Sequence, residues 1–246
     1  MTATEIAVLA PAVYVSVTIE EAEEGDDIHV HAGGQGVWVA RMLRQLDHRP
    51  VVCAPIGGET GRTLLGLIAD WNIELRPVDA LADTPAYVHD RRGGERVEIA
   101  RSRSSALRRH EADELYDGFL QAALDAGRCV VTGPDREGTL PLTHFERLGT
   151  DLEAAGVEVV ADLHGEALDA FLAGGPITVL KVSSGDLVED GRLDDDERDD
   201  DEAVDRVADD LIARGVRTVV VSRGGAPMLA TSPDGRFRVA GPELAP

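Results

Sequence analysis

The chain has 246 residues, 43% apolar and 28% charged, which is enough to bury a core and too apolar for a disordered tail. Its net charge of −22 opposes binding to a nucleic-acid backbone or an anionic membrane surface, and no apolar run approaches the roughly 18 residues of a membrane span. Its two cysteines, Cys53 and Cys129, each sit inside an apolar run, which suits buried thiols in a reducing, cytoplasmic compartment.

At the N-terminus, Met1 to Glu5 has neither a basic stretch nor a small-residue cleavage site, so secretion is not expected. Ile6 to Leu9 is an apolar run of strand length. Val13, Val15, Val17 and Ile19 then alternate with other residues, and Ile28 and Val30 alternate again, the period-2 pattern of half-buried strands. Glycines cluster in His31-Ala32-Gly33-Gly34-Gln35-Gly36-Val37-Trp38, ahead of a helical stripe of Val39, Met42, Leu43 and Leu46. Such glycines either bring backbone N–H groups close to a ligand or simply let the chain turn. The segment lacks the Gly-Lys-Ser/Thr of a Walker loop, and Val39 fills the third glycine position of a dinucleotide fingerprint.

Val51 to Ala54 reads as a buried strand. Ala86 to Ala100 reads as a hairpin, with Tyr87 and Val88 before a turn at Arg91-Arg92-Gly93-Gly94 and Val97 and Ile99 after it. The segments at roughly 12–31 and 84–100 predict a small antiparallel flap over the carboxyl ends of a parallel sheet. Arg101, Arg103, Arg108 and Arg109 follow, either paired with surface carboxylates or forming an anion site at the flap edge.

Further along, Leu115, Phe119 and Ala122 form a helical stripe, as do Phe145, Leu148 and Leu152, and later Val204, Val207, Ala208 and Leu211. Between them lie strand-like runs at Cys129 to Val131, Val157 to Leu163, Thr178 to Val182 and Thr218 to Val221. Continuous apolar strands separated by amphipathic helices predict a parallel sheet covered on both faces. The tract DDDERDDDE, Asp194 to Glu202, is either a solvated loop with acid near a helix N-terminus or a cation-binding tract. His29, His31, His89, His110, His144 and His164 show no metal-ligand spacing.

Several segments together resemble the ribokinase/PfkB family of carbohydrate kinases. GGQGVWVARML, from Gly33, followed by VVCAPIGGETG, from Val51, is similar to that family's first signature. Leu9-Ala10-Pro11-Ala12-Val13-Tyr14, Asp162-Leu163-His164-Gly165-Glu166-Ala167-Leu168 and Leu180-Lys181-Val182-Ser183-Ser184-Gly185-Asp186-Leu187 resemble segments of its 1-phosphofructokinase-like branch. Val221-Ser222-Arg223-Gly224-Gly225-Ala226 resembles its nucleotide turn.

The resemblance implies a single α/β domain over 1–246. It would be a ribokinase-like three-layer αβα sandwich with a mostly parallel sheet and a small β-sheet lid. It implies ATP and Mg²⁺ as cofactors, and transfer of a γ-phosphoryl group to a sugar or sugar phosphate. On the substrate side it points to Tyr14, Gly33, Gly34, Gln35, Gly36 and Trp38. On the nucleotide side it points to Lys181, the only lysine, with Ser183, Ser222, Gly224 and Gly225. Asp186 is implied for the metal. The lid doubles as a homodimer surface in the family, and the same is expected here.

The chain departs from the family at named positions. Tyr14 replaces an Asp, Gln35 a Lys, Trp38 and Ser183 each an Asn, and Asp186 a Glu. The Gly-Ala-Gly-Asp turn that carries the family's catalytic Asp occurs nowhere in the 246 residues, so no catalytic residue is assigned. The pattern stops at Gly241-Pro242-Glu243-Leu244-Ala245-Pro246, and the C-terminal part of the family fold is expected to be missing. Two readings stay open: a carbohydrate kinase whose product continues past Pro246, or a catalytically inactive relative that binds nucleotide or sugar in a regulatory role. Without later helices, Thr218 to Val221 is expected to form an exposed apolar edge.

Overall fold

The computed structural model describes residues 3–103, 105–134 and 139–241; Met1, Thr2 and the final 242–246 of the terminal readings lie outside these. The chain divides into two compact units, Met1–Ala126 with Thr132–Pro141 and Gly127–Val131 with Leu142–Pro246. No helix among the described residues is long and apolar enough to cross a membrane.

In the first unit, β1 (Glu5–Leu9), β4 (Arg49–Ile56) and β5 (Glu74–Asp79) pair in parallel. Ala7 to Leu9 and Pro50 to Ile56 are buried without alternation, as strands packed on both faces require. Helices α1 (Gln35–Gln45) and α3 (Arg109–Ala126) pack on β1 and β4. Leu115, Tyr116 and Phe119 of α3 fill the core. Between these lies α2 (Gly58–Ile68), which packs on the lid strands.

The lid is a four-stranded sheet in the order β3-β2-β6-β7. It joins two antiparallel hairpins, β2 (Tyr14–Ala22) with β3 (Gly25–Gly33) and β6 (Ala86–Asp90) with β7 (Val97–Arg101). The central pair, β2 with β6, runs parallel, which corrects the expected all-antiparallel flap. The reason is topological: α1, β4, α2 and β5 intervene between the hairpins, so β6 enters beside β2 in the same direction. Register gives each face its character. Ser16 lies between His31 and Tyr87, and Thr18 between His29 and His89, on a polar face. Val17, Val30 and Val88 share the other face, where Ile28 is 65% exposed.

The second unit orders its strands β8 (Arg128–Thr132), β9 (Glu158–Asp162), β10 (Ile177–Ser183), β11 (Val216–Arg223), β12 (Ala226–Ser232) and β13 (Gly235–Val239). The β9–β10 and β10–β11 pairs are parallel, and β11–β12–β13 is an antiparallel meander. Helices α4 (Leu142–Ala154) and α5 (Gly165–Gly174) pack against each other, and α6 (Ser184–Glu189) and α7 (Asp201–Ala213) pack on the strands. A side chain at Gly174 would strike the Glu146 carbonyl, and one at Gly149 would strike that of Phe171. Backbone therefore meets backbone between α4 and α5, and Thr150 Oγ1 donates to the Gly174 carbonyl at 3.2 Å.

Two expectations are corrected here. In β9, β10 and β11 burial alternates: Val159, Ala161, Leu180, Val182, Val219 and Val221 are buried, whereas Val160, Val179 and Val220 are not. One face of these strands is therefore packed and the other is partly open. Strand β11 is also no edge, because β10 and β12 flank it. The outermost strand of this unit is β13, where Phe237 is 60% exposed. Of the two added strands, β13 escaped the sequence reading because its two apolar residues, Phe237 and Val239, are interspersed with Arg, and β12 because a proline sits at its second position.

The acidic tract is consumed by ordinary structure. Asp200 caps α7, accepting from the Glu202 N–H at 2.9 Å. Asp195 pairs with Arg198 at 2.6 Å, Glu197 with Arg206 at 3.0 Å and Asp201 with Arg223 at 2.7 Å. Among the described residues no cluster of three His, Cys, Asp or Glu could hold a metal. Arg101 and Arg109 sit in exposed pairs with Glu98 and Asp113, as pairing with surface carboxylates requires.

Both cysteines are buried and free. Burial pushes the Cys53 thiol up to about 11, against the pull of Arg76, and the Cys129 thiol up to about 12. A thiol-specific chromogenic reagent at pH 8 is expected to label neither in the native protein and both in denaturant. A thiol reacting at the native rate of a free cysteine would contradict this packing.

Candidate functional site

The candidate residues fall into two groups, one in each unit. In the first, the β1–β2 connection meets the start of α1. Gly34, the N-cap, has φ 114°, a conformation that favours glycine. A side chain at Gly34 would run into the Ala12 carbonyl, one at Gly36 into the Ala10 methyl, and one at Gly33 into the Tyr14 ring. Close approach of chain to chain thus accounts for all three glycines. Tyr14 in turn meets Tyr87 edge-on, with ring centroids 4.7 Å apart.

Tyr14 fronts three hollows in this unit. One is lined by Pro11, Pro55, Asp83, Thr84 and Pro85 among others. A second is lined with Ser16, His31, Gly33, Trp38 and Arg96. A third is lined with Tyr87, His89, Arg96 and Glu98. The fold therefore brings Tyr14, Gly33 and Trp38 to one hollow. Gly34 and Gly36 are buried beneath it, and Gln35 is exposed without lining any of the three.

Trp38 is 43% exposed and belongs to a cluster. Its ring centroid lies 6.5 Å from that of Trp71, and the Arg41 guanidinium lies 5.4 Å from the Trp38 centroid and 4.9 Å from the Trp71 centroid. A cation–π contact of this kind is worth about 0.5–1 kcal/mol at an exposed site. Trp71 lay outside any periodic segment, so only its residue type could have signalled it.

His89 was also missed, since on a strand it looked like any alternating polar residue. It is 7% exposed, with Nδ1 3.3 Å from Ser16 Oγ and 3.4 Å from Arg96 Nη2. Burial first, and the Arg96 charge second, hold its pKa below the usual histidine value, against the opposing pull of Glu98.

In the second unit, Lys181 on β10 reaches Asp162 Oδ1 at 3.4 Å. Burial raises the Asp162 pKa, Lys181 pulls it back, and Asp186 pushes it further up. Ser183 and Asp186 form a capping box on α6: the Asp186 N–H donates to Ser183 Oγ at 3.0 Å, and the Ser183 N–H donates to Asp186 Oδ2 at 2.8 Å. Ser183 and Ser222 are partners across the β10–β11 ladder. Gly224, with φ 60°, and Gly225 make the two-residue turn from β11 to β12, where added side chains would meet open space. The buried Arg223 anchors that turn, donating from Nε to the Pro227 carbonyl at 2.8 Å and from Nη1 to Asp201 at 2.7 Å. Nearby, Asp190 accepts from the Gly165 N–H at 2.6 Å and lies 3.2 Å from His164 Nδ1, tying down the start of α5.

Comparison with known proteins gives concordant matches. The pfkB family carbohydrate kinase model matches residues 5–245. ATP-dependent 6-phosphofructokinase isozyme 2 of Escherichia coli (strain K12) is 29% identical over 157 residues, 63% of this chain and 50% of that protein. The 1-phosphofructokinase of Bacillus subtilis (strain 168) is 26% identical over 140 residues, 56% of this chain and 44% of that protein. The chain thus spans about half the length of the curated relatives it matches. Among solved structures, phosphofructokinase-2 from Escherichia coli in complex with fructose-6-phosphate superposes with a TM-score of 0.82 at 25% identity, covering 98% of this chain and 81% of that one. This likeness matches the expected ribokinase-like α/β fold with a smaller lid sheet.

Gly36→Ala is expected to cost about 1–3 kcal/mol, the usual penalty of overpacking, because the Ala10 methyl already occupies the space. Gly93→Ala, with nothing within 4 Å, serves as the control and is expected to leave the urea midpoint within error. Equal midpoints for the two variants would show that α1 is not seated this way.

Proposed function

The chain belongs to the pfkB family of carbohydrate kinases, and on that footing we propose that it transfers the γ-phosphoryl group of ATP to a hydroxyl of a sugar or sugar phosphate, in the manner of a phosphofructokinase. The observation that carries this reading is the continuity of the family match from residue 5 to residue 245. It includes both the glycine turn of the first unit and the Lys181 and Gly224-Gly225 segments of the second.

Such a transfer needs the substrate hydroxyl oriented, the phosphates neutralised and the hydroxyl proton accepted. For the first task, Tyr14 and Trp38 offer ring faces to the C–H side of a sugar, and Gly33 keeps the turn low beneath it. For the second, Lys181 supplies a point charge suited to a phosphate. Ser183, Ser222, Gly224 and Gly225 would line the rest of the nucleotide, the glycines doing so without side chains to obstruct it.

Mg²⁺ fits the donors present. The capping box engages Oδ2 of Asp186, leaving Oδ1 without a partner among the described residues, and Mg²⁺ is ordinarily held by one or two carboxylates plus phosphates and waters. Asp186 would hold the ion, which supplies charge neutralisation on the phosphates when bound. The third task has no residue here, because the family's Gly-Ala-Gly-Asp turn does not occur in the 246 residues. A homodimer through the apolar lid face around Val17, Ile28 and Val30, and a cytoplasmic location suited to two free thiols, complete the reading.

The test is a coupled ADP-release assay with free and phosphorylated hexoses, run beside thermal melting with ATP and Mg²⁺. ATP is expected to raise the melting temperature, and at least one sugar is expected to drive ADP release above background. Lys181→Met is expected to weaken ATP about tenfold, the scale of one charge-assisted hydrogen bond. Stabilisation by ATP with background release for every sugar would leave the non-transferring relative; no stabilisation at all would overturn both.

A further inference from the structure

We infer that His29 and His31, on the polar face of the lid, chelate one divalent transition cation of the imidazole-seeking kind: Ni²⁺, Cu²⁺ or Zn²⁺. The site uses none of the residues given above to sugar, nucleotide or Mg²⁺, and it does not depend on the carbohydrate-kinase reading.

Strand β3 reads Gly25-Asp26-Asp27-Ile28-His29-Val30-His31-Ala32-Gly33. Positions two apart share a face, so Asp27, His29 and His31 stand on one side and Ile28 and Val30 on the other. Nine residue pairs with β2 hold this register, with His29 opposite Thr18 and His31 opposite Ser16. Strand β3 is also the outer strand of the lid sheet, so no further strand of that sheet crowds the rings. Both histidines are exposed.

The two imidazoles face one another, with centroids 5.9 Å apart and planes 14° from parallel. A ring nitrogen bonds such an ion at about 2.0–2.1 Å, which puts the ion roughly 3.2 Å from the ring centre. Two rings sharing one ion, at an N–metal–N angle between about 90° and 180°, therefore have centres roughly 4.5–6.4 Å apart. The observed spacing lies inside that range, so the strand already holds the rings at chelating distance. Only the ring nitrogens need turning toward a common point, and the histidine χ2 torsion is broad.

The donor set selects the cation. Imidazole suits Cu²⁺, Ni²⁺ and Zn²⁺, whereas Mg²⁺ and Ca²⁺ take oxygen ligands. Two histidines at this spacing do not make a structural zinc site, which takes four protein ligands. Among the described residues no group of three His, Cys, Asp or Glu could hold a metal, so water completes the shell and the site is an open one. Charge favours a cation there. Asp27, the next residue along the same face, makes no ion pair among the described residues. The neighbouring Arg91 and Arg92 are paired with Glu20 at 3.2 Å and Asp26 at 3.1 Å. Arg96, which borders the hollow at His31, turns Nη2 to His89 at 3.4 Å instead. The net charge of −22 acts in the same direction.

The experiment titrates Ni²⁺ calorimetrically into the metal-stripped full chain. Wild type is compared with His29→Gln, His31→Gln and the double variant, and with His110→Gln, an exposed histidine on α3, as the control. Urea midpoints are measured for each. The tightest step in wild type is expected to take one Ni²⁺ per chain and to resist excess Mg²⁺. Each single variant is expected to weaken that step by about tenfold or more, and the double variant no further than either single one, because the advantage of a chelate needs both rings. His110→Gln is expected to leave it unchanged. Electron paramagnetic resonance of Cu²⁺ bound to wild type is expected to show two nitrogen ligands, a readout that needs no variant. Unchanged Ni²⁺ binding in folded single variants, single losses that add in the double variant, displacement by Mg²⁺, or Cu²⁺ coupled to fewer than two nitrogens would each overturn the assignment.

Discussion

The first unit depends on the missing side chains at Gly33, Gly34 and Gly36. The chain leaves β1, turns at Ala10 to Ala12, and enters the lid at Tyr14. The start of α1 is pressed onto this turn so closely that a methyl group at any of the three glycines would overlap Ala10, Ala12 or Tyr14. Helix, lid root and central strands are therefore set by this one close approach. The same contact fixes Tyr14, and Tyr14 borders every hollow described in that unit. The second unit repeats the device at Gly149 and Gly174, where two helices meet through their backbones.

Charge is organised around this frame by pairing. The acidic excess looks extreme as a sum, yet much of it is local bookkeeping between carboxylates and arginines. Asp169 receives Arg192 and Arg214, both at 2.6 Å, and Asp205 and Asp209 receive Arg236 at 3.3 and 2.6 Å. Each exposed pair contributes little by itself. What matters for function is which cations are left over. Lys181 is held by Asp162 at 3.4 Å, and Arg96 meets the His89 imidazole at 3.4 Å with no ion pair among the described residues.

How much of this was readable in the sequence depended on periodicity. The buried strands β1 and β4 and the half-packed β10 announced themselves as apolar runs, and the second lid hairpin did so through its Arg91-to-Gly94 turn. Strand β5 did not, because only Val78 is buried and Pro77 is tolerated at the end of a strand order. The parallel pairing of β2 with β6 was invisible, since pairing direction depends on the path between hairpins. At the candidate site, the residue types at Tyr14, Gly33 and Trp38 drew notice through a family pattern. Their neighbours His89, Arg96 and Trp71 are joined to them by sheet register and helix packing, which single-residue patterns do not carry.

The outer strand β13 alternates Arg236, Phe237, Arg238 and Val239. Its arginines are drawn back to Asp201, Asp205 and Asp209, while Phe237 and Val239 stay exposed. In dilute buffer, like charge keeps two such molecules apart before these rings can touch. Salt shortens the reach of that repulsion to a few ångströms and leaves the apolar residues as they were. Self-association along this border should therefore grow as ionic strength rises.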